Sequence, residues 1–254
     1  MRARLALLAL ACLWSGPALA ERLVTSLSAN QVAIGSNYTG AQLVIFGIIE
    51  RDGQSADRPD GYDVVVTMRG PREPVTVRRK EPFGPVWLNR SQQKFVAVPS
   101  VLTVLSSRYL AEIAPPALRA QLRLGLAAIV QAPEFTIDRG QDDNPFRAGL
   151  IRLKTRDGLW SQHERGVVFV TREFFRAPMA IPATATIGNY DVEVILLSGG
   201  AVLARGHASF EVVKTGFEEQ ITVFAQDRSL IYGMMIGALS LAFGWVASVI
   251  FRRD

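Results

Sequence analysis

Cysteine and histidine are nearly absent from this sequence, which has one cysteine and two histidines among 254 residues. Cys12 lies in an apolar N-terminal stretch, and Ala9 stands three positions before it, where a lipoprotein signal would have leucine. We therefore interpret Cys12 as a small apolar residue of that stretch. The rest of the chain has no thiol, which excludes disulfides, thiolate nucleophiles and cysteine-ligated metals there.

Motifs for common chemistries are also missing. His163 and His207 have no further ligands at the fixed offsets of a metal site. The sequence has no Gly-x-Ser-x-Gly nucleophile motif, no phosphate-binding glycine-rich loop and no dinucleotide-binding motif. Asp142 and Asp143 lack the alternating acidic loop of a calcium site, so we interpret them as negative charge at a helix start. The sequence thus predicts no catalytic residues, no metal, no cofactor and no enzymatic activity.

Excess positive charge is small over most of the chain. The formal net charge is +5, but the segment from Glu21 to Gln226 has 23 Lys and Arg against 21 Asp and Glu. Nucleic acid is therefore not an expected partner. One segment is locally basic, and four arginines in it are candidates for binding an anion or an acidic partner: Arg69, Arg72, Arg78 and Arg79. Anionic lipid headgroups are a further candidate partner, and a solvated sheet face is the alternative. We predict that the domain without its anchor binds anionic liposomes weakly, if at all, and releases them in moderate salt.

Strand alternation makes Arg79 a special case. If Val75 and Val77 face the core, Arg79 points the same way. A buried guanidinium without a partner is costly. We therefore expect either that the strand ends at Arg78 or that Arg79 meets a carboxylate.

The N-terminal residues have the pattern of a signal peptide. Arg2 and Arg4 are followed by an apolar stretch, and Ala18-Leu19-Ala20 has the small-x-small pattern that a signal peptidase accepts. The apolar stretch is shorter than the roughly 20 residues that a stable membrane helix needs. We predict that residues 1–20 are a signal peptide cleaved before Glu21, with an uncleaved anchor as the alternative.

Near the C-terminus, residues 229–251 form a long apolar run without a charged residue. A helix of this length spans a bilayer. Arg252 and Arg253 predict a cytoplasmic tail at 252–254, which places the N-terminal domain in the periplasm and makes the chain a single-pass protein of the inner membrane. Residues 215–228 predict a juxtamembrane amphipathic helix. Small residues spaced for helix packing recur in the span, where accidental spacing is the alternative: Gly233, Gly237, Ser240 and Gly244.

Residues 21–214 predict a mainly β domain. Short β-branched runs separated by Gly, Pro and Asp begin it. Near its end, alternation over 190–196 and 202–212 around Gly199-Gly200 predicts a hairpin, with His207 facing outward. This hairpin resembles the closing strands of an immunoglobulin-like β-sandwich. Trp87 and Trp160 are predicted to lie in its core, with a ligand platform as the alternative.

A helical insertion is predicted at about 112–160. Apolar residues at helical spacing follow Pro115-Pro116 and predict one amphipathic helix running from Leu118 to Ile129. A second helix is predicted to start at Asn144-Pro145 and to end at Gly158. We interpret the whole as one sandwich with an insertion, followed by one transmembrane helix.

Several blocks of the sequence resemble those of a single-span transmembrane protein family of alpha-proteobacteria whose function is uncharacterised. The blocks are Gly35–Gly40, Leu43–Gly47, Tyr62–Val66, Arg69–Lys80, Ile113–Pro116 and Phe243–Arg253. The resemblance covers nearly the whole chain after residue 20, and Arg-Gly-Pro-Arg-Glu-Pro is its most specific part. The resemblance implies that this chain is an envelope protein, of a family often encoded near permeases of the sulfite-exporter type. It gives no catalytic residues to carry over to this sequence.

Two hypotheses follow from these observations. The first is a membrane-anchored periplasmic interaction module, accessory to a multi-span permease that it contacts through its transmembrane helix. The second is a periplasmic protein that binds small oxyanions through the arginines at 69, 72, 78 and 79. Its partners would be the bilayer and the permease in the first case, and a sulfur oxyanion or sulfonate in the second.

Overall fold

The computed structural model describes residues 21–35, 39–51, 58, 61–132, 145–214 and 225–250. Strands and helices follow one another along these residues. The strands are β1 (Arg22–Leu27), β2 (Gln31–Ile34), β3 (Ala41–Glu50), β4 (Asp63–Arg69), β5 (Arg72–Phe83), β6 (Val86–Pro99), β7 (Leu102–Ser106), β8 (Trp160–Glu164), β9 (Val168–Phe169), β10 (Phe174–Ile181), β11 (Gly188–Ser198) and β12 (Ala201–Lys214). The helices are α1 (Leu110–Ile113), α2 (Pro116–Leu122), α3 (Leu126–Val130), α4 (Pro145–Arg156) and α5 (Ser229–Ile250).

The strands form two sheets and a separate two-stranded ribbon. One sheet has the order β1-β3-β10-β9, and the other has the order β2-β12-β11-β4-β7-β8. Among the strands that the structure describes, β5 and β6 pair only with each other, in an antiparallel ribbon. Within the six-stranded sheet β7 and β8 run parallel, whereas β11 and β4 are antiparallel to each other and to their next neighbours.

A glycine lets the two sheets approach closely. Gly206 on β12 faces β1 of the other sheet, and a Cβ at this position would lie 2.7 Å from Thr25 Cγ2 and 3.2 Å from Leu23 Cδ2. A side chain here would therefore clash with the facing strand. The contact places the first strand of the domain face to face with its last strand.

The helices α1 to α4 cover an apolar core. Leu150 of α4, Ile129 of α3 and Trp160 of β8 are buried together with Phe95 of the ribbon. Trp160 is the predicted core residue that the structure confirms, since it is 1% exposed and its Nε1 donates to Pro99 O at 3.0 Å. Ile195 and Leu197 on β11 join this core, which explains why the end of β11 is buried on both faces.

The predicted single helix from Leu118 to Ile129 is wrong. Two short helices, α2 and α3, occupy this stretch. The chain breaks between them because Arg123 caps α2 in the left-handed conformation (φ 56°) and Gly125 has φ 95°. The first backbone N–H of α3 is bound by a side chain distant in sequence, since Leu126 N donates to Gln162 Oε1 at 3.0 Å.

The second insertion helix is close to its prediction. Helix α4 begins at Pro145 and ends at Arg156, and Gly158 follows with φ 72°, as expected of a helix stop. Lys154 of α4 donates to Glu73 Oε1 of β5 at 2.6 Å, and this contact ties the helix to the base of the ribbon.

The predicted fold class is confirmed as mainly β with helices between Leu110 and Arg156 and one apolar helix near the C-terminus. The immunoglobulin-like likeness stays a prediction, and the parallel β7–β8 pair is foreign to an all-antiparallel sandwich. Helix α5 is long and apolar enough over Ser229–Ser248 to cross a membrane. Residues 1–20, the start of the juxtamembrane segment at 215–224 and the tail at 252–254 lie outside the described residues.

Candidate functional site

An open cleft lies where the six-stranded sheet meets the start of the ribbon and the end of α2. Its volume is about 490 Å³. Charged side chains dominate its lining, with Arg69, Arg72, Arg123 and Arg205 facing Asp191 and Glu193. Four guanidinium groups against two carboxylates make this cleft a basic surface feature.

Glu193 holds two of these arginines. Its Oε2 accepts from Arg69 Nη1 at 2.9 Å, and its Oε1 accepts from Arg205 Nη1 at 3.1 Å. Glu193 lies on the central strand β11, between β4, which bears Arg69, and β12, which bears Arg205. The shared carboxylate fixes both guanidinium groups at the floor of the cleft, because its side chain is only 15% exposed.

Arg72 differs from the two arginines at the floor. It is exposed at the first position of β5, and within the described part of the chain no carboxylate lies within ion-pair distance of it. Arg123 comes to the same cleft from α2, where its left-handed backbone ends the helix. Arg72 therefore adds positive charge to the cleft beyond the two arginines that Glu193 binds.

The structure divides the predicted arginine set. Arg69 and Arg72 line the cleft, whereas Arg78 and Arg79 lie farther along β5 and do not line it. Six residues of strand separate Arg72 from Arg78, which corresponds to about 20 Å. Two arginines that the predicted set omits, Arg123 and Arg205, take part in the cleft instead.

Arg79 meets a carboxylate, which is one of the two outcomes that strand alternation predicted for it. Strand β5 continues past it to Phe83, and Arg79 Nη2 donates to Glu81 Oε1 at 2.6 Å. Ser91 Oγ on β6 donates to the same Glu81 oxygen at 2.5 Å. The hydrogen bond from Ser91, followed by that from Arg79, lowers the pKa of Glu81 below its ordinary value of 4.5. Arg79 also lies over the Phe146 ring, 5.8 Å from its centroid.

The end of the ribbon is apolar and exposed. Its large side chains are Phe83 (59% exposed), Val86 (50%), Trp87 (67%) and Leu88 (45%). We call these four residues the ribbon end. The prediction that Trp87 lies in the core is wrong, because the ribbon carries it past the last buried residues of β5 and β6.

Four small residues of α5 lie along one side of the helix. Gly233, Gly237, Ser240 and Gly244 fall within about 60° on a helical projection. A Cβ built on any of these three glycines meets no atom within 4 Å, apart from the helix's own nearby backbone. Ser240 Oγ donates to Ile236 O at 2.9 Å, so its hydroxyl is satisfied within the helix.

The two histidines are both exposed, His163 on β8 and His207 on the outward face of β12, as predicted for His207. Among the residues that the structure describes, no group of three or more His, Cys, Asp or Glu side chains is arranged to hold a metal ion.

Comparison with known families gives one match. Residues 22–253 match the family described as "Putative transmembrane protein (Alph_Pro_TM)". The chain belongs to this family. The match covers all strands and helices given above, and it agrees with the presence of one apolar helix, α5, suited to a membrane. No curated protein matches the chain.

Proposed function

We propose that this chain is a membrane-anchored periplasmic interaction module, accessory to a multi-span permease of the inner membrane. The observation that carries the proposal is helix α5, which is apolar around its circumference and has one stripe of small residues. The signal-like N-terminus and the arginines at 252 and 253 support the periplasmic orientation.

Small residues favour helix association in a membrane because they let two backbones approach closely. Lipid tails are as apolar as leucine, so close packing is the main source of stability for such a contact. In the described chain the stripe has no packing partner, since each of its glycines faces open space. A helix of a second membrane protein fits this surface.

Affinity purification from native membranes in a mild detergent tests the proposal. The wild-type chain is expected to recover a multi-span protein, and Gly237→Leu is expected to lose it because the added side chain separates the helices. Ala242→Leu is the matched control, since position 242 lies on the opposite side of α5. Equal recovery with both variants, or repeated recovery of the chain alone, contradicts the proposal.

A second candidate function is the binding of a small oxyanion in the arginine-lined cleft. The observation that favours it is Arg72, which is exposed in a basic cleft without a carboxylate partner among the described residues. A planar guanidinium binds an oxyanion through paired N–H donors. Arg69 and Arg205 are already engaged by Glu193, so Arg72 would supply the first contact.

Calorimetry with sulfate and sulfite on the detergent-solubilised chain tests this candidate. Arg72→Ala is expected to weaken binding by about tenfold or more, because a charge-assisted hydrogen bond contributes about 1.5–3 kcal/mol. Arg78→Ala is the matched control, as an exposed arginine of the same strand outside the cleft. Absence of heat with both anions, or equal loss with the two variants, rules out the cleft as the site.

A further inference from the structure

The ribbon end is separated from the rest of the domain by exposed strand. Every residue from Pro82 to Arg90 is exposed. The nearest fully buried residues on the two strands are Val77 and Phe95. About six residues separate Val77 from Phe83, so the ribbon end lies roughly 20 Å beyond that buried position. No other part of the described chain covers these four apolar side chains.

Cationic side chains follow the ribbon end along both strands. Lys80 on β5 is paired in register with Asn89, and Arg90 follows directly on β6. Both cations are exposed, and the Arg90 guanidinium lies over the Phe83 ring, 5.5 Å from its centroid. Arg78 lies further back on the same ribbon. Glu81 also lies in this part of the ribbon but is paired with Arg79. The ribbon therefore changes from an aromatic and aliphatic end to a cationic band formed by Arg78, Lys80 and Arg90.

This order matches the layers of a bilayer surface. Trp, Phe and Leu on membrane-surface segments enter the boundary between headgroups and acyl chains, and Lys and Arg favour the phosphates just outside that boundary. Anionic headgroups complement the charge of the band. A protein partner would have to supply an apolar pocket and an acidic rim together, whereas a bilayer offers both layers over its whole surface.

We propose that the ribbon end inserts into the headgroup region of the membrane that holds α5, as a second membrane contact of this chain. Residues 215–228 join β12 to α5, and a segment of that length spans at most about 50 Å. The covalent link keeps the domain at high effective concentration near the bilayer, so four apolar side chains are enough for a persistent contact. The proposal needs α5 in a membrane and does not need the permease.

A depth measurement on the full chain tests this contact. Cysteine is introduced at the ribbon end as Leu88→Cys in a Cys12→Ser background and labelled with an environment-sensitive fluorophore. The chain is placed, one copy per disc, in nanodiscs of phosphatidylethanolamine and phosphatidylglycerol. We expect the emission of the label at position 88 to be blue-shifted. We also expect lipid-borne quenchers to reduce this emission at least about twofold more than that of a label at the control position, Ile187→Cys. Ile187 is also an exposed apolar residue, at 53%, and it precedes β11.

Changes at the ribbon end complete the test. Adding Phe83→Ser and Trp87→Ser is expected to return the label at 88 to the level of the control, because the apolar side chains that hold it in the boundary are gone. Since all these residues are exposed, the variants keep the fold. Equal quenching by lipid at positions 88 and 187 overturns the proposal. A blue shift at position 88 that is seen only with two copies per disc also overturns it, because a second copy would then cover the ribbon end. A blue shift that is seen only with a co-purified protein overturns it in favour of a protein partner.

Discussion

Asp63 is a buried carboxylate with an arginine partner. It begins β4, its side chain is 5% exposed, and it binds Arg108 in a two-pronged contact in which Arg108 Nε donates to Oδ1 at 2.8 Å. Ser107 Oγ also donates to Oδ1, at 3.1 Å. The pair links the start of β4 to the segment that follows β7, so it holds these two neighbouring strands together at one end.

Removal of Arg108 is predicted to leave this carboxylate poorly satisfied. Arg108→Leu is expected to lower the free energy of unfolding by about 1–2 kcal/mol. This cost is at the lower end of the range for hydrogen bonds to charged groups, because solvent screens the Arg108 side chain, which is 48% exposed. Arg22→Leu, which breaks the exposed pair with Glu50 at 3.7 Å, is expected to cost less than about 1 kcal/mol. Urea unfolding of the detergent-solubilised chain, followed by near-ultraviolet circular dichroism, measures both. Equal costs contradict the role assigned to Asp63.

The pH response of the ribbon is predicted to centre on Glu81. Its pKa is lowered in the folded chain, so its contacts with Ser91 and Arg79 are present above the ordinary value of 4.5 and are lost as the pH falls through the lower folded pKa. Ser91→Ala is expected to raise the pKa of Glu81 toward 4.5. The carboxyl carbon chemical shift followed against pH measures it. An unchanged midpoint means that Ser91 does not stabilise the ionised carboxylate.

Among the helices and strands, α4 could be predicted from the sequence, whereas the exposed position of Trp87 and the break between α2 and α3 could not. Local signals place α4, because Pro145 and Gly158 mark its ends. They do not place Trp87, since a large aromatic residue in a β-rich sequence is more often buried than carried out on a ribbon. The break at Arg123 also escapes, because apolar spacing continues across it while the Arg-Leu-Gly segment turns.

Two glycines are predicted to respond in opposite ways to alanine. Gly47 of β3 lies against the Phe175 ring, with Cζ 2.1 Å from an added Cβ, so Gly47→Ala is expected to destabilise by about 1–3 kcal/mol. Gly149 lies inside α4, where an added Cβ meets Val77 Cγ1 at an ordinary 3.7 Å, so Gly149→Ala is expected to stabilise by about 0.5–1 kcal/mol. Urea midpoints of the two variants check the signs. Destabilisation by Gly149→Ala would contradict the packing described for α4.

At the scale of the whole molecule, the sequence predicts composition-driven features well and long-range pairing poorly. The apolar run near the C-terminus and the mainly β class follow from residue types and period. The cleft does not, because it depends on β11 lying between β4 and β12, two strands far apart in the chain. The turn at Gly199-Gly200 allows Arg205 to be placed near Glu193 in advance. Nothing local brings Arg69 or Arg123 to the same place.

Photo-crosslinking from α5 in native membranes tests whether this helix contacts a multi-span protein. A photoreactive amino acid at Ile236 borders the stripe of small residues, and one at Ala242 lies across the helix from it. We predict an adduct with a multi-span membrane protein from position 236, and little or none from position 242. Adducts of equal yield from both positions, or none from either, would contradict a permease-associated role for this chain.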